Sequence, residues 1–187
     1  MRRKVPCGGN PIADLRERVE DDRGLIKKIQ LHIPGFAGYR RREDLRTADA
    51  LLRVQVADRM VKVKDKLETV RADFTRNYQV AQLEPLGAQI FKIKELEGRI
   101  RHAEQGYSGI SADIRIEEKE INTLYEFDLR LVEGIDTLMA KADALKASAK
   151  KDMDAVDAAM EDFRGTANDF ENTFERRMKV ITGTEVA

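Results

Sequence analysis

The sequence predicts an all-α fold: an elongated antiparallel helical hairpin or coiled coil with an N-terminal third helix. Three observations predict it. Apolar residues recur three and four positions apart through most of the 187 residues, the spacing that lines one face of an α-helix. Charged residues make up 36% of the chain, against about a quarter in ordinary globular domains. That mixture suits narrow apolar seams between long helices better than a thick core. Only four prolines occur and no tryptophan, so few interruptions are written into the chain.

Residues 1–10, MRRKVPCGGN, read as a flexible tail ahead of a single helical domain over 11–187. Pro11 suits a helix start, where its missing N–H would have had no partner. Ile12, Leu15, Val19, Ile26, Ile29 and Ile33 then keep a heptad, with Asp22 at one seam position, and predict a helix over about 11–33. Pro34 ends it, because the residue before a proline is pushed out of the α region.

A second helix is expected over about 41–83, with Leu45, Leu52, Val56, Val63, Leu67, Val70, Phe74 and Ala81 as its seam. Asp58–Lys62 and Lys64–Glu68 attract four residues apart and Lys62–Lys66 repel, each by a few tenths of a kcal/mol. Beyond Leu83 the apolar residues are Leu86, Ile90, Ile93 and Ile100, a slip of two positions, or about 200° around a helix. Pro85 explains the slip as a kink with a change of partner. A reversal is disfavoured, because only Leu83–Gly87 is left to form a loop. The third helix, 86–104, then leads into the turn Gln105–Ser111.

The last helix is expected over about 111–181. Its seam runs through Ile121, Leu124, Leu131, Ile135, Leu138, Ala142, Leu145, Ala149, Val156, Ala159, Phe163, Ala167, Phe170, Phe174, Met178 and Ile181. Asp128 and Asp152 are its polar interruptions, and Gly165-Thr166 marks a place where it could break. Residues 41–104 and 111–181 would make matched arms of roughly 95 and 105 Å at 1.5 Å per residue. The short turn between them makes them antiparallel, and the first helix folds back as a third member. A compact four- or five-helix bundle, broken at Pro85 and Gly165, is the competing shape.

The formal net charge is zero, so no global field steers the chain to nucleic acid or anionic membrane. Residues 1–46 carry 12 Lys/Arg against 7 Asp/Glu, and residues 143–187 carry 7 against 10. A basic start and an acidic end would attract if the fold brought them together. The lone cysteine, Cys7, excludes an intrachain disulfide. No apolar run follows the positive N-terminal residues, and no stretch of about 18 apolar residues exists to span a membrane. A soluble cytoplasmic protein is the expectation.

Traces of chemistry are few. Neither His32 nor His102 has a Glu three positions before it, and neither His-Glu-x-x-His nor Cys-x-x-Cys occurs. CGGNP is glycine-rich, but no strand precedes it and no Lys-Ser/Thr follows. The carboxylates of Glu117–Glu120 read as solvated helix surface. No catalytic residue, no metal ligand and no cofactor is expected, and the chain does not read as an enzyme.

What remains are the joints. Gly35, Phe36, Gly38 and Tyr39 in IPGFAGY, and Gly106, Tyr107 and Gly109 in GYSG, each set an aromatic between glycines at the mouth of a helix. Glycine permits the left-handed backbone of a sharp corner, and the aromatic can plug the end of the bundle. Arg40, Arg41 and Arg42 follow at a helix start. There they could contact an anion or a partner, or pair with Glu43 and Asp44; cations at that end oppose the helix dipole.

IPGFAGYRRREDLRTADALLR, with GYSG and LYEFD at 124–128, resembles a set of prokaryotic long-helix proteins. The resemblance spans about half the chain and implies that the joints belong to a family pattern; it carries no functional residue over. The expected hairpin is also similar in shape to the PspA and ESCRT-III membrane scaffolds, an analogy of fold alone. The expected function is therefore a structural or interaction protein. It would self-assemble as a homo-oligomer or dock a protein partner along its seams. A peripheral membrane scaffold comes second, disfavoured by Asp14, Glu17, Glu20 and Asp21 in the first helix. Nucleic-acid binding through Arg40–Arg42 comes third.

Overall fold

The computed structural model describes residues 24–36, 42–103 and 118–182. Every regular element among them is helical, so the fold is all-α. Helix α1 covers 24–32. Helix α2 is Arg42–Arg76, and a 3-10 turn, Val80–Gln82, leads directly into α3, Leu83–Arg101. Helices α4, Glu118–Ser148, and α5, Met153–Thr182, complete the order. No described helix is long and apolar enough to cross a membrane.

The long arms expected from the heptads are each folded in half. The first correction lies before Pro85. Helix α2 stops at Arg76, and its last turn closes with Gln79 N–H donating to Phe74 O at 2.9 Å and Tyr78 N–H donating to Thr75 O at 3.3 Å. This paired closure is the Schellman arrangement, and it places Tyr78 in the left-handed region at φ 58. The chain reverses there. Pro85 then falls in the first turn of α3, where a helix needs no donor from it. It neither kinks nor breaks anything, and the slip of the apolar stripe reflects the reversal.

The second correction lies where the sequence showed no break. Helix α4 ends at Ser148, whose Oγ donates to Leu145 O at 2.8 Å. Asp152 caps α5 by accepting the Ala155 N–H at 2.9 Å. Helix α5 runs unbroken through Gly165. Nothing lies within 4 Å of a Cβ built on Gly165. Gly165→Ala is therefore expected to stabilise the fold by up to about 1 kcal/mol through helix propensity alone. Gly134 differs, because a Cβ there would lie 3.0 Å from Phe170 Cδ2 in the core. Gly134→Ala gains the same propensity but drives that ring aside, at about 1–3 kcal/mol. Denaturant midpoints should move in opposite directions for the two variants.

Two helical hairpins thus replace two long arms. Helix α3 runs back along α2, with Arg101 reaching Asp58 at 2.9 Å. Helix α5 runs back along α4, with Lys141 reaching Asp162 at 2.9 Å. The hairpins lie side by side in the same direction, α2 along α4 and α3 along α5. Asn77 Nδ2 ties the two turns by donating to Ala149 O at 2.6 Å.

One continuous core runs between them. It takes Leu52, Val56, Val63, Leu67, Val70 and Phe74 from α2, Leu86, Ile90, Ile93 and Ile100 from α3, and Leu131, Leu138, Phe163 and Phe170 from α4 and α5. Ala81, expected in the seam, is exposed because its helix has already ended.

Helix α1 lies across α2 and α4. Arg59 of α2 donates to His32 O at 2.6 Å and pairs with Asp136 of α4 at 3.2 Å. Asp136 in turn lies 3.0 Å from His32 Nδ1. Ile29, Ile33 and Phe36 sink into the core beneath this clamp.

Candidate functional site

Among the described residues, four charged side chains are buried at the end of the bundle where α2 begins and α5 ends. Arg177 of α5 and Asp128 of α4 are both 0% exposed, and Asp49 and Arg53 of α2 are nearly as covered. Arg177 Nε donates to Asp128 Oδ1 at 2.5 Å, and its Nη2 lies 2.8 Å from Asp49 Oδ1. Arg53 Nε closes on Asp49 Oδ2 at 2.8 Å, and its Nη1 donates to Arg101 O at the end of α3, at 3.3 Å. Among the described residues, two cations and two anions from three helices meet here with a carbonyl from the fourth. An isolated charge at this depth would be prohibitive, whereas a paired and hydrogen-bonded set is tolerated.

Outside the core the charges are sorted by hairpin. Arg59 pairs with Asp136, Lys66 with Asp143, Lys92 with Glu171, and Arg99 with Glu171 and Glu175. In each pair the first hairpin supplies the cation and the second the anion. Asp58, Lys64 and Lys66 take other partners than those offered four residues away. Asp58 and Lys66 pair across helices, whereas Lys64 pairs with the adjacent Asp65.

Lys92, and after it Arg99, hold the Glu171 carboxyl below its ordinary value of 4.5 although partial burial opposes them. Glu175 first and then Glu171 hold the Arg99 guanidinium more firmly protonated. A carboxyl whose value is depressed on folding stabilises the fold above its unfolded value. That contribution is lost as pH falls through the lower, folded value. Stability should therefore fall below about pH 4.5, and Glu171→Gln should flatten this part of the acid limb in urea titrations. An unchanged limb would exclude a role for the α3–α5 pairs.

At the opposite end, the two reversals form a tip. Gln82 Nε2 donates to Asp157 Oδ1 at 2.5 Å and lies 3.5 Å from Met153 Sδ. A shallow cleft of about 560 Å3 between the last turns of α2 and α4 is lined by Asp73, Arg76, Asn77, Asp143, Lys146 and Lys150, among others. Beside it the Tyr78 side chain is 89% exposed, next to exposed Val80. Tyr78 stands where a helix closure of this kind ordinarily has glycine, and left-handed backbone costs a side-chain-bearing residue about 1 kcal/mol. Tyr78→Gly is expected to raise stability by up to that amount; a loss would mean that the ring packs onto the tip.

Of the joint residues, Gly35 has φ +88 and turns the chain after Pro34. Phe36 is buried and meets the Tyr125 ring edge-on, centroids 6.4 Å apart. Gly38, Tyr39, Arg40, Arg41, Gly106, Tyr107, Gly109 and Cys7 lie outside the described residues. Arg42 opens α2. His102 is exposed at the end of α3. Among the described residues, no group of three His, Cys, Asp or Glu side chains could hold a metal ion.

Sequence reading missed Asp49, Arg53 and Arg177. The signal was a skipped beat: the apolar seam jumps seven residues from Leu45 to Leu52 and from Leu124 to Leu131, and Asp49 and Asp128 occupy the omitted positions. No family of proteins, no characterised protein and no solved structure matches the chain.

Proposed function

We propose that this is a non-enzymatic structural or interaction protein, a helical bundle that self-assembles into a homo-oligomer or docks a protein partner. The observation that carries the reading is the outward display of large apolar side chains on the first hairpin. Tyr78, Val80 and Phe91 are all well exposed, while the charges that could do chemistry are engaged in holding the two hairpins together. Aromatic side chains are the commonest anchors of protein interfaces. Light scattering of the purified chain tests self-assembly: a mass above that of one chain at micromolar concentration is expected. A single-chain mass would leave only the docking of a different protein.

A further inference from the structure

The outer face of α3 combines features that the fold itself does not use. Phe91 is 68% exposed in the middle of the helix. Gly87 and Gly98 lie within about 40° of it around the helix, one turn before and two turns after. Each weakens the helix by about 1 kcal/mol relative to alanine. Neither is required by packing, since nothing lies within 4 Å of a Cβ built on either. Two glycines around an exposed aromatic make a knob between hollows, the relief that lets a second helix approach closely. Lys94 and Glu95 are exposed on opposite sides of Phe91, about 60° to one side and 40° to the other. Neither has an ion-pair partner among the described residues.

We infer that a second copy of this chain docks on this face of α3, in the same direction, about a two-fold axis parallel to the helix. This deepens the self-assembly reading and rests on it. Charge complementarity beside Phe91, between Lys94 and Glu95, selects both occupant and direction. A two-fold axis along the helix exchanges the two sides of the face, so Lys94 of each copy meets Glu95 of the other. An antiparallel pair keeps the sides and sets Lys94 against Lys94. In the parallel pair Phe91 meets its own counterpart on the axis, and the glycine hollows face each other, as a self-complementary two-fold interface requires. The charges flanking the aromatic set direction as flanking charges do in paired helices.

Sedimentation equilibrium on the full chain and four variants tests the proposal. The wild type should be a dimer. Phe91→Glu and Gly98→Gln should each weaken the dimer at least about 100-fold, as loss of an interface anchor does. Both should keep the helical circular dichroism, and Gly98→Gln should unfold at a higher denaturant concentration as a single chain. Lys94→Glu should weaken the dimer, and Lys94→Glu combined with Glu95→Lys should restore it. A monomeric wild type overturns both this surface and self-assembly. A dimer indifferent to Phe91→Glu and Gly98→Gln overturns the surface and leaves self-assembly standing. A dimer sensitive to Phe91→Glu but not restored by the charge exchange overturns the parallel arrangement.

Discussion

Arg177→Met should cost about 3–5 kcal/mol of folding stability, the loss expected when one member of a buried ion pair is removed. The methionine fills much of the same space, so the loss is electrostatic. Asp128, fully covered, loses the guanidinium that donates to it at 2.5 Å. Asp49 keeps Arg53 at 2.8 Å but loses its second cation. The companion variant, Asp128→Leu with Arg177→Met, removes both opposite charges from the bottom of the core and leaves the Asp49–Arg53 pair in place. It should recover most of the loss, because replacing a buried pair by apolar residues is commonly neutral or favourable by about 1–4 kcal/mol. Urea unfolding of the two single variants and the double closes the thermodynamic cycle. A loss under about 1 kcal/mol for Arg177→Met would mean that water reaches the cluster.

The same cluster explains what holds the hairpins in step. A seam of leucines, valines and alanines repeats along each helix, and a slip of one helix past another by a heptad would restore most apolar contacts. It would not restore Arg177 between Asp128 and Asp49. Asp49 and Arg53 on α2, Asp128 on α4, Arg177 on α5 and the Arg101 carbonyl on α3 converge at one level only. The surface pairs constrain register less, since Arg59–Asp136 and Lys66–Asp143 are separated by seven residues on both helices, and a heptad slip would again set one of these cations against one of these anions.

The helical class and the buried face were legible in the sequence; the reversals were not. Period tells which side of a helix is covered, since Leu52, Val63, Leu86, Ile93, Leu138 and Phe163 all sit where the heptads put them. It does not tell where a helix stops. Leu145, Ala149 and Val156 keep the rhythm across the break between α4 and α5, because both sides of that turn face one core. Turn chemistry should have marked the stops and was disguised. The residue at the left-handed position after α2 is a tyrosine, and Asp152 resembled a polar interruption although it is a cap. Pro85 drew attention to the wrong residue for the same reason, standing just inside a helix whose start lies before it. The buried cluster left only the omitted beats at Asp49 and Asp128.

Phe36→Ala should be the second large loss, about 3–5 kcal/mol for deleting a buried phenyl ring. Phe36 is 1% exposed, and its edge-on contact with Tyr125 adds to simple burial. Its backbone is fixed as well. Gly35 turns the chain at φ +88, and the Phe36 carbonyl accepts from Gln30 Nε2 at 2.8 Å, so the ring is aimed before it packs. The effect should be graded along the molecule. Helix α1 is fastened at its end by Ile29, Ile33, Phe36 and the Arg59–Asp136 clamp, whereas α2–α5 share the long core. Amide exchange should therefore quicken over 26–33 first, while the middle of α2 and α4 keeps its protection relative to global unfolding. Leu31→Ala is the control, because Leu31, five residues before Phe36, is 83% exposed and should change stability by less than about 0.5 kcal/mol. Equal losses for the two variants would mean that the aromatic does not plug the bundle and that α1 is held by its polar clamp alone.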